Sequence, residues 1–234
     1  MTTTTRASTD SIVHLVDEDH HARQHLERLL RNAYLPSRVY ADTEDLLLRL
    51  RDDRPGCVLL ALRRPGQATL RTQQRLGESG FTLPVVFLSN AAGVNAAVRA
   101  MRAGAEDFLT TPLDDDTLVD TLFQAVAKDR RRKAREYTRR KLSQRLDDLT
   151  PRERQTLEAV VAGLSNKRIA DTLSISPKTV ELHRAHMMRK MGADSVAEVV
   201  KLYLYATNPP AYLPTGFPVM ATGEPLIGNP YRKN

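Results

Sequence analysis

Between Pro177 and Met191 the chain arranges residues that can read DNA. Lys178, Thr179, Glu181, Leu182, Ala185, His186 and Arg189 fall on one face of a helix, and Val180, Met187 and Met191 recur on the other. A Glu carboxylate accepts a hydrogen bond from cytosine N4, and Leu or Ala meets a thymine methyl group. Lys178, Thr179, Arg189 and Lys190 suit phosphate oxygens, as do Asn166 and Lys167 on the preceding element. With Ser176 and Arg184, the candidate contact set is Asn166, Lys167, Ser176, Lys178, Thr179, Glu181, Leu182, Arg184, Ala185, His186, Arg189 and Lys190. This chemistry recognises and does not make bonds.

The elements that must position these residues are all helical in pattern. Thr150-Pro151-Arg152-Glu153 is a capping box with Pro at the first helical position, opening a helix to Ala162. Asn166–Leu173 is a second helix, and Ser174-Ile175-Ser176 a tight connection. Ser176-Pro177 starts the third helix, with Ser as cap. Ser195–Tyr205 is a fourth, with Val196, Val199, Val200 and Tyr203 on one side. Two short helices joined this way form a helix-turn-helix, whose second helix enters the major groove. Any three-helix bundle shares such spacing, so spacing alone does not establish it.

Upstream, residues 10–126 interleave short apolar runs with helical patterns. Ile12–Val16, Arg38–Tyr40, Cys57–Leu62, Pro84–Leu88 and Ala105–Leu109 read as strands. Ala22–Leu30, the stretch around Leu46–Leu50, Leu70–Leu76, Val94–Ala103 and Thr117–Val126 read as helices. Five such repeats predict an α/β doubly wound (βα)5 domain on a parallel sheet. Residues 127–148 contain neither Gly nor Pro and read as a charged linker helix. Leu142, Leu146 and Leu149 share one of its faces, which fits either a short dimer seam or packing on the next domain. An all-α four-helix domain occupies 149–206. The tail, 207–234, holds six prolines and is expected to be extended or disordered.

Charge is unevenly spread. Residues 10–126 carry 13 Lys/Arg against 17 Asp/Glu, residues 127–149 carry 10 against 4, and residues 150–205 carry 9 against 6. A basic rear half suits phosphate, although charge alone speaks only to non-specific binding. No apolar run is long enough for a membrane span, and the polar N-terminus lacks a secretory signal. The single cysteine, Cys57, forms no intrachain disulfide. The expectation is a cytoplasmic protein that needs no cofactor.

Residues 149–195 closely resemble the LuxR-type DNA-binding domain of FixJ/NarL-type response regulators. The specific pieces are L-T-P-R-E (149–153), A-G-L-S-N-K-R-I-A (162–170) and I-S-P-K-T-V-E-L-H-R (175–184). The resemblance implies a four-helix domain that dimerises through its last helix and reads an inverted repeat in double-stranded DNA. RNA polymerase is a further candidate partner.

Residues 11–126 resemble the receiver domain of the same proteins, through I-V-H-L-V-D-E-D (12–19), G-C-V-L-L-A-L-R-R-P-G (56–66), P-V-V-F-L-S (84–89) and A-V-R-A-M-R-A-G-A-E-D-F-L-T-T-P-L (97–113). The family's acid pair is then Asp17 and Glu18, and its hydroxyl residue Ser89. Where the family carries the phosphoaccepting Asp, this chain has Ala61. Where a Lys precedes the Pro, it has Thr111. Ala offers no oxygen nucleophile, and two carboxylates hold Mg²⁺ weakly. An engineered exchange would explain Ala61 but not Thr111, so a naturally degenerate receiver is the expectation.

Three ways of signalling remain open at this point. The receiver is a fixed dimerisation module using residues 95–126, or it senses a ligand or partner at the old acid pocket, or Ser89 or Thr110 is phosphorylated instead. His20, His21 and His25 lie near that pocket; solvated helix histidines are far commoner than metal ligands, and no metal is expected. An alternative function is sequestering an intact regulator, which would need no base-reading residues. Catalysis is not expected, because the acid pair and Ser89 lack an activated nucleophile.

Overall fold

The computed structural model describes residues 11–50, 53–62, 75–90 and 94–207. Their packing divides the chain into two units, one ending at Lys133 and the other beginning at Ala134. The helix expected over Leu70–Leu76 lies almost wholly outside the described residues, as does the tail beyond Thr207.

The first unit is built on five strands: β1 (Ile12–Val16), β2 (Ser37–Tyr40), β3 (Gly56–Leu62), β4 (Val85–Ser89) and β5 (Asp107–Thr110). All pair in parallel, in the order β2-β1-β3-β4-β5. Helices α1 (His20–Asn32), α2 (Thr43–Arg49) and α3 (Val94–Arg102) connect them, and α4 begins at Asp115. This is the doubly wound α/β fold that the repeats predict. The alternation of side chains along each strand makes two cores. Val13, Leu15, Cys57, Leu59, Val86 and Leu88 face α1 and the first turns of α4. Val16, Val58, Leu60, Val85 and Phe87 face Tyr40, Leu46 and Ala100. Each fully buried Leu or Phe contributes about 1.5–3 kcal/mol relative to exposure.

Strand ends differ from the sequence expectation by a residue or two. β5 begins at Asp107 rather than Ala105, because Gly104 at φ 94° turns the chain and the Ala105 amide closes back on the Ala100 carbonyl. At the base of the sheet, Gly56 abuts β1 so closely that a Cβ there would lie 2.4 Å from the Ile12 carbonyl oxygen.

α4 runs unbroken for 33 residues, Asp115–Asp147, so the charged linker is one helix with the last helix of the first unit. At a 1.5 Å rise it is about 50 Å long. Leu118, Leu122, Ala125 and Val126 are buried in the first unit. Leu142 and Leu146, with Leu149 just beyond, are buried in the second, among Leu157, Val160, Ile169, Val180 and Met187. The leucine face that also fitted a dimer seam is therefore core of its own unit.

The second unit completes with α5 (Pro151–Val161), α6 (Asn166–Leu173), α7 (Pro177–Met191) and α8 (Val196–Thr207). Both arms of the Thr150–Glu153 capping box form. Ser174 ends α6 in the left-handed region at φ 54°. The chain then turns into α7, where Ser176 Oγ accepts the Thr179 amide at 3.1 Å. Gly192, at φ 67°, closes α7.

Candidate nucleic-acid interface and receiver pocket

α7 presents a narrower outward face than its sequence suggests. Lys178, Glu181, Leu182, Ala185 and Arg189 are exposed, Leu182 by 53% despite its apolar side chain. Val180, Met187 and Met191 are buried in the core below. Lys167 is exposed and Asn166 half-buried on the first turn of α6, the helix before the turn. Ser176 and Thr179 hold their hydroxyls 2.8 Å apart at the N-terminus of α7, where the free amides and the helix dipole favour an anion.

Three expected contact residues depart from that face. Arg184 lies one turn after Val180, near the buried side, and is half-buried. His186 and Lys190 turn toward α5. The Lys190 ammonium donates to Glu153 Oε2 at 2.7 Å and to the Asp148 carbonyl at 3.0 Å, and His186 Nδ1 lies 3.8 Å from Glu153 Oε1. Glu153 itself is buried, 4% exposed, and its Oε2 also accepts the Thr150 amide at 2.8 Å. Burial pushes this carboxyl up, but the Lys190 and Thr150 hydrogen bonds outweigh it and hold the group at about 2, against an ordinary 4.5.

A second clamp joins α4 to the end of α7. Arg145 Nη1 donates to the Met191 carbonyl at 2.9 Å. A side chain at residue 192 would meet that guanidinium at 2.8 Å. The positioning roles of Glu153 and Arg145 were not read from the sequence. The capping box marked Glu153 locally, but nothing local announces a partner 37 residues away.

In the first unit, Asp17, Ala61 and Thr111 line one cavity of about 250 Å³. The parallel register explains this. Val16 pairs with Leu60, so Asp17, just after β1, and Ala61, the next residue of β3, fall at the same sheet edge. Asp17 is 3% exposed and its Oδ1 accepts the Asp19 amide at 2.8 Å. Asp19 caps α1, accepting the His21 and Ala22 amides. Glu18 is exposed and Ser89, 1% exposed, is buried beneath the edge; neither lines the cavity. The Thr111 amide donates to the Ser89 carbonyl at 2.9 Å. His25 faces the cavity, whereas His20 is engaged by Arg23 and Gln24. Among the described residues no cluster of His, Cys, Asp or Glu is arranged to hold a metal ion, and no helix is long and apolar enough to cross a membrane.

Two family models match the chain: the response regulator receiver domain over residues 13–123, and the luxR family of bacterial regulatory proteins over residues 147–203. Nodulation protein W of Bradyrhizobium diazoefficiens is 33% identical over 198 residues, covering 85% of this chain and 87% of that protein. The transcriptional regulatory protein FixJ of Azorhizobium caulinodans is 36% identical over 200 residues, covering 85% and 94%. The solved structure of the response regulator StyR is similar with a TM-score of 0.75 at 33% identity, over 83% of this chain and 98% of that one. This family works by binding DNA to regulate transcription and is not enzymatic. A parallel five-stranded receiver fold joined to a capped helix-turn-helix, with relatives matching across both, makes this chain a member of the FixJ-type response regulators with a LuxR-type DNA-binding domain.

Proposed function

We propose that this response regulator binds DNA without being switched by phosphorylation at the end of β3. The observation that carries this is Ala61, whose methyl group stands where the family has its phosphoaccepting carboxylate, with Thr111 in place of the Lys on the facing loop. The donor set does not fit the family's Mg²⁺: Glu18 is exposed and does not line the cavity, Asp114 is engaged by Thr117, and no cluster of His, Cys, Asp or Glu among the described residues is arranged to hold a metal ion. The receiver domain is taken as 10–126, the linker as 127–148, the DNA-binding domain as 149–206 and the tail as 207–234.

The reading face is Lys178, Glu181, Leu182, Ala185 and Arg189, with Asn166, Lys167, Ser176 and Thr179 toward phosphate. The chain acts as a homodimer on an inverted repeat, in the cytoplasm, with RNA polymerase as its further partner. Exposed apolar residues at helical spacing support the dimer: Val94, Val98 and Met101 on α3, and Val196 and Leu204 on α8. The test is a gel shift on the protein's own promoter with and without acetyl phosphate. Equal affinity supports the reading, and a large gain with acetyl phosphate overturns it. A second reading, a receiver that senses a ligand, is favoured by the cavity itself.

A further inference from the structure

We propose that the C-terminal tail, residues 208–234, docks on the outer face of α8 of its own chain. The proposal rests on the reading that this face serves the dimer, and it adds a competitor for the second copy.

α8 leaves an apolar stripe uncovered among the described residues. Val199, Leu202, Tyr205 and Ala206 are buried in the core of the second unit. On the outer side Val196 and Leu204 remain 39% and 50% exposed, and Val200, midway between them, is half-buried. The three stand four residues apart, so they line up along one side of the helix. At 1.5 Å per residue the stripe is about 12 Å long.

The tail starts where that stripe ends. α8 stops at Thr207, one turn after Leu204. Asn208-Pro209-Pro210 comes next, and a pair of prolines cannot extend a helix. An extended chain covers about 3 Å per residue, so Tyr212 and Leu213 have the reach to lie anywhere between Leu204 and Val196.

The composition of the tail suits an apolar surface. A segment that stays in water is rich in charge and poor in aromatics. Between residues 208 and 231 the only charged residue is Glu224, against Tyr212, Leu213, Phe217, Leu226, Ile227 and Tyr231. The six prolines favour the extended form that docks on apolar grooves, and they reduce the entropy lost on docking. The tail also lies beyond the luxR-family match, which ends at residue 203.

Tethering favours the tail over a second copy. A segment joined a few residues from the stripe meets it at an effective concentration on the order of millimolar. A second copy has to come from solution and displace it. The docked tail therefore raises the protein concentration at which α8 pairs and an inverted repeat is bound.

The experiment compares the full chain with a chain ending at Thr207 and with full-length Tyr212→Ser/Leu213→Ser. The chain ending at Thr207 keeps every core residue described. Methyl NMR, at concentrations where sedimentation shows monomers, reads the docking. Expected are shifted Val196 and Val200 methyl signals in both variants, with those of the receiver core, such as Val13 and Leu59, unmoved. Val196 decides, because it lies at the far end of α8 from the cut. Sedimentation and gel shifts should show both variants associating and binding DNA about tenfold more tightly than the parent, a ratio of 1.4 kcal/mol. Unmoved Val196 and Val200 signals in both variants overturn the docking. Moved signals with unchanged association overturn the competition with a second copy. Leu204→Glu in the chain ending at Thr207 tests the underlying reading. If it leaves association unchanged, α8 is not the dimer face, whatever the tail does. If it weakens association while the stripe methyls never moved, only the docking fails.

Discussion

Lys190, near the end of α7, places its ammonium 2.7 Å from Glu153 Oε2, in the capping box that opens α5. One carboxylate thus closes the N-terminus of α5 and holds the C-terminal half of α7. A residue whose type suggests phosphate contact is instead part of the frame that holds α7. Arg145, donating to the Met191 carbonyl, does the same from α4.

Replacing Glu153 should loosen that frame. Glu153→Ala leaves the Thr150 amide without this acceptor and the Lys190 ammonium with the Asp148 carbonyl alone of the two, at a cost of about 1–3 kcal/mol. Thermal unfolding of the full chain at pH 7 measures this. Glu153→Gln should recover part of the loss through its remaining carbonyl oxygen.

The same group makes the domain acid-sensitive. Its carboxyl lies at about 2 when folded and 4.5 ordinarily, so the folded state binds fewer protons than the unfolded one. The contribution is therefore fully present above pH 4.5 and is lost as pH falls toward 2. Melting temperature across that window should fall less steeply in Glu153→Gln than in the parent; parallel curves would contradict the assignment.

In the first unit, Asp129 is fully buried and accepts the Gly56 amide at 2.9 Å and the Arg132 guanidinium at 2.6 Å. Beside it, Lys133 donates to the Asp53 and Arg54 carbonyls. Asp129→Ala should destabilise by about 3–5 kcal/mol, because the Gly56 amide and the Arg132 guanidinium lose this buried acceptor. Gly56→Ala should be comparably harmful, since its Cβ collides with the Ile12 carbonyl. Urea unfolding of both variants checks the pair.

On DNA, the outward residues should separate into two classes. Leu182→Ala and Glu181→Gln should change which base is preferred, by about 1–3 kcal/mol at one position of the half-site. Lys178→Ala should weaken all sequences alike and reduce the salt slope by about 1. Lys190→Ala should instead lower thermal stability, because its charge is already committed to Glu153. Affinity measured at several salt concentrations on a panel of half-sites distinguishes these outcomes.

Restoring the lost groups should restore a cation site. Ala61→Asp with Thr111→Lys sets a second carboxylate beside Asp17, and millimolar Mg²⁺ should then raise the melting temperature by a few degrees through mass action. The parent should show no such response.

The sequence by itself determined the order and kind of the elements. The apolar run Cys57–Leu62, and Ile12–Val16 with His14 at its centre, read as strands buried on both faces because they are short and followed by helical patterns. Thr150-Pro151 and Ser176-Pro177 start helices wherever the chain goes, because a cap acts on amides within three residues. It also determined what residue 61 cannot do, since a methyl group has no lone pair. Tertiary structure decided which side chains are free to act. Whether Lys190 faced DNA or protein depended on Glu153, and whether Leu142 and Leu146 met a second copy or their own core depended on Leu157 and Met187. Those partners lie tens of residues away, where no local spacing reaches. The cavity joining Asp17, Ala61 and Thr111 exists only because parallel register brings three strand ends to one edge.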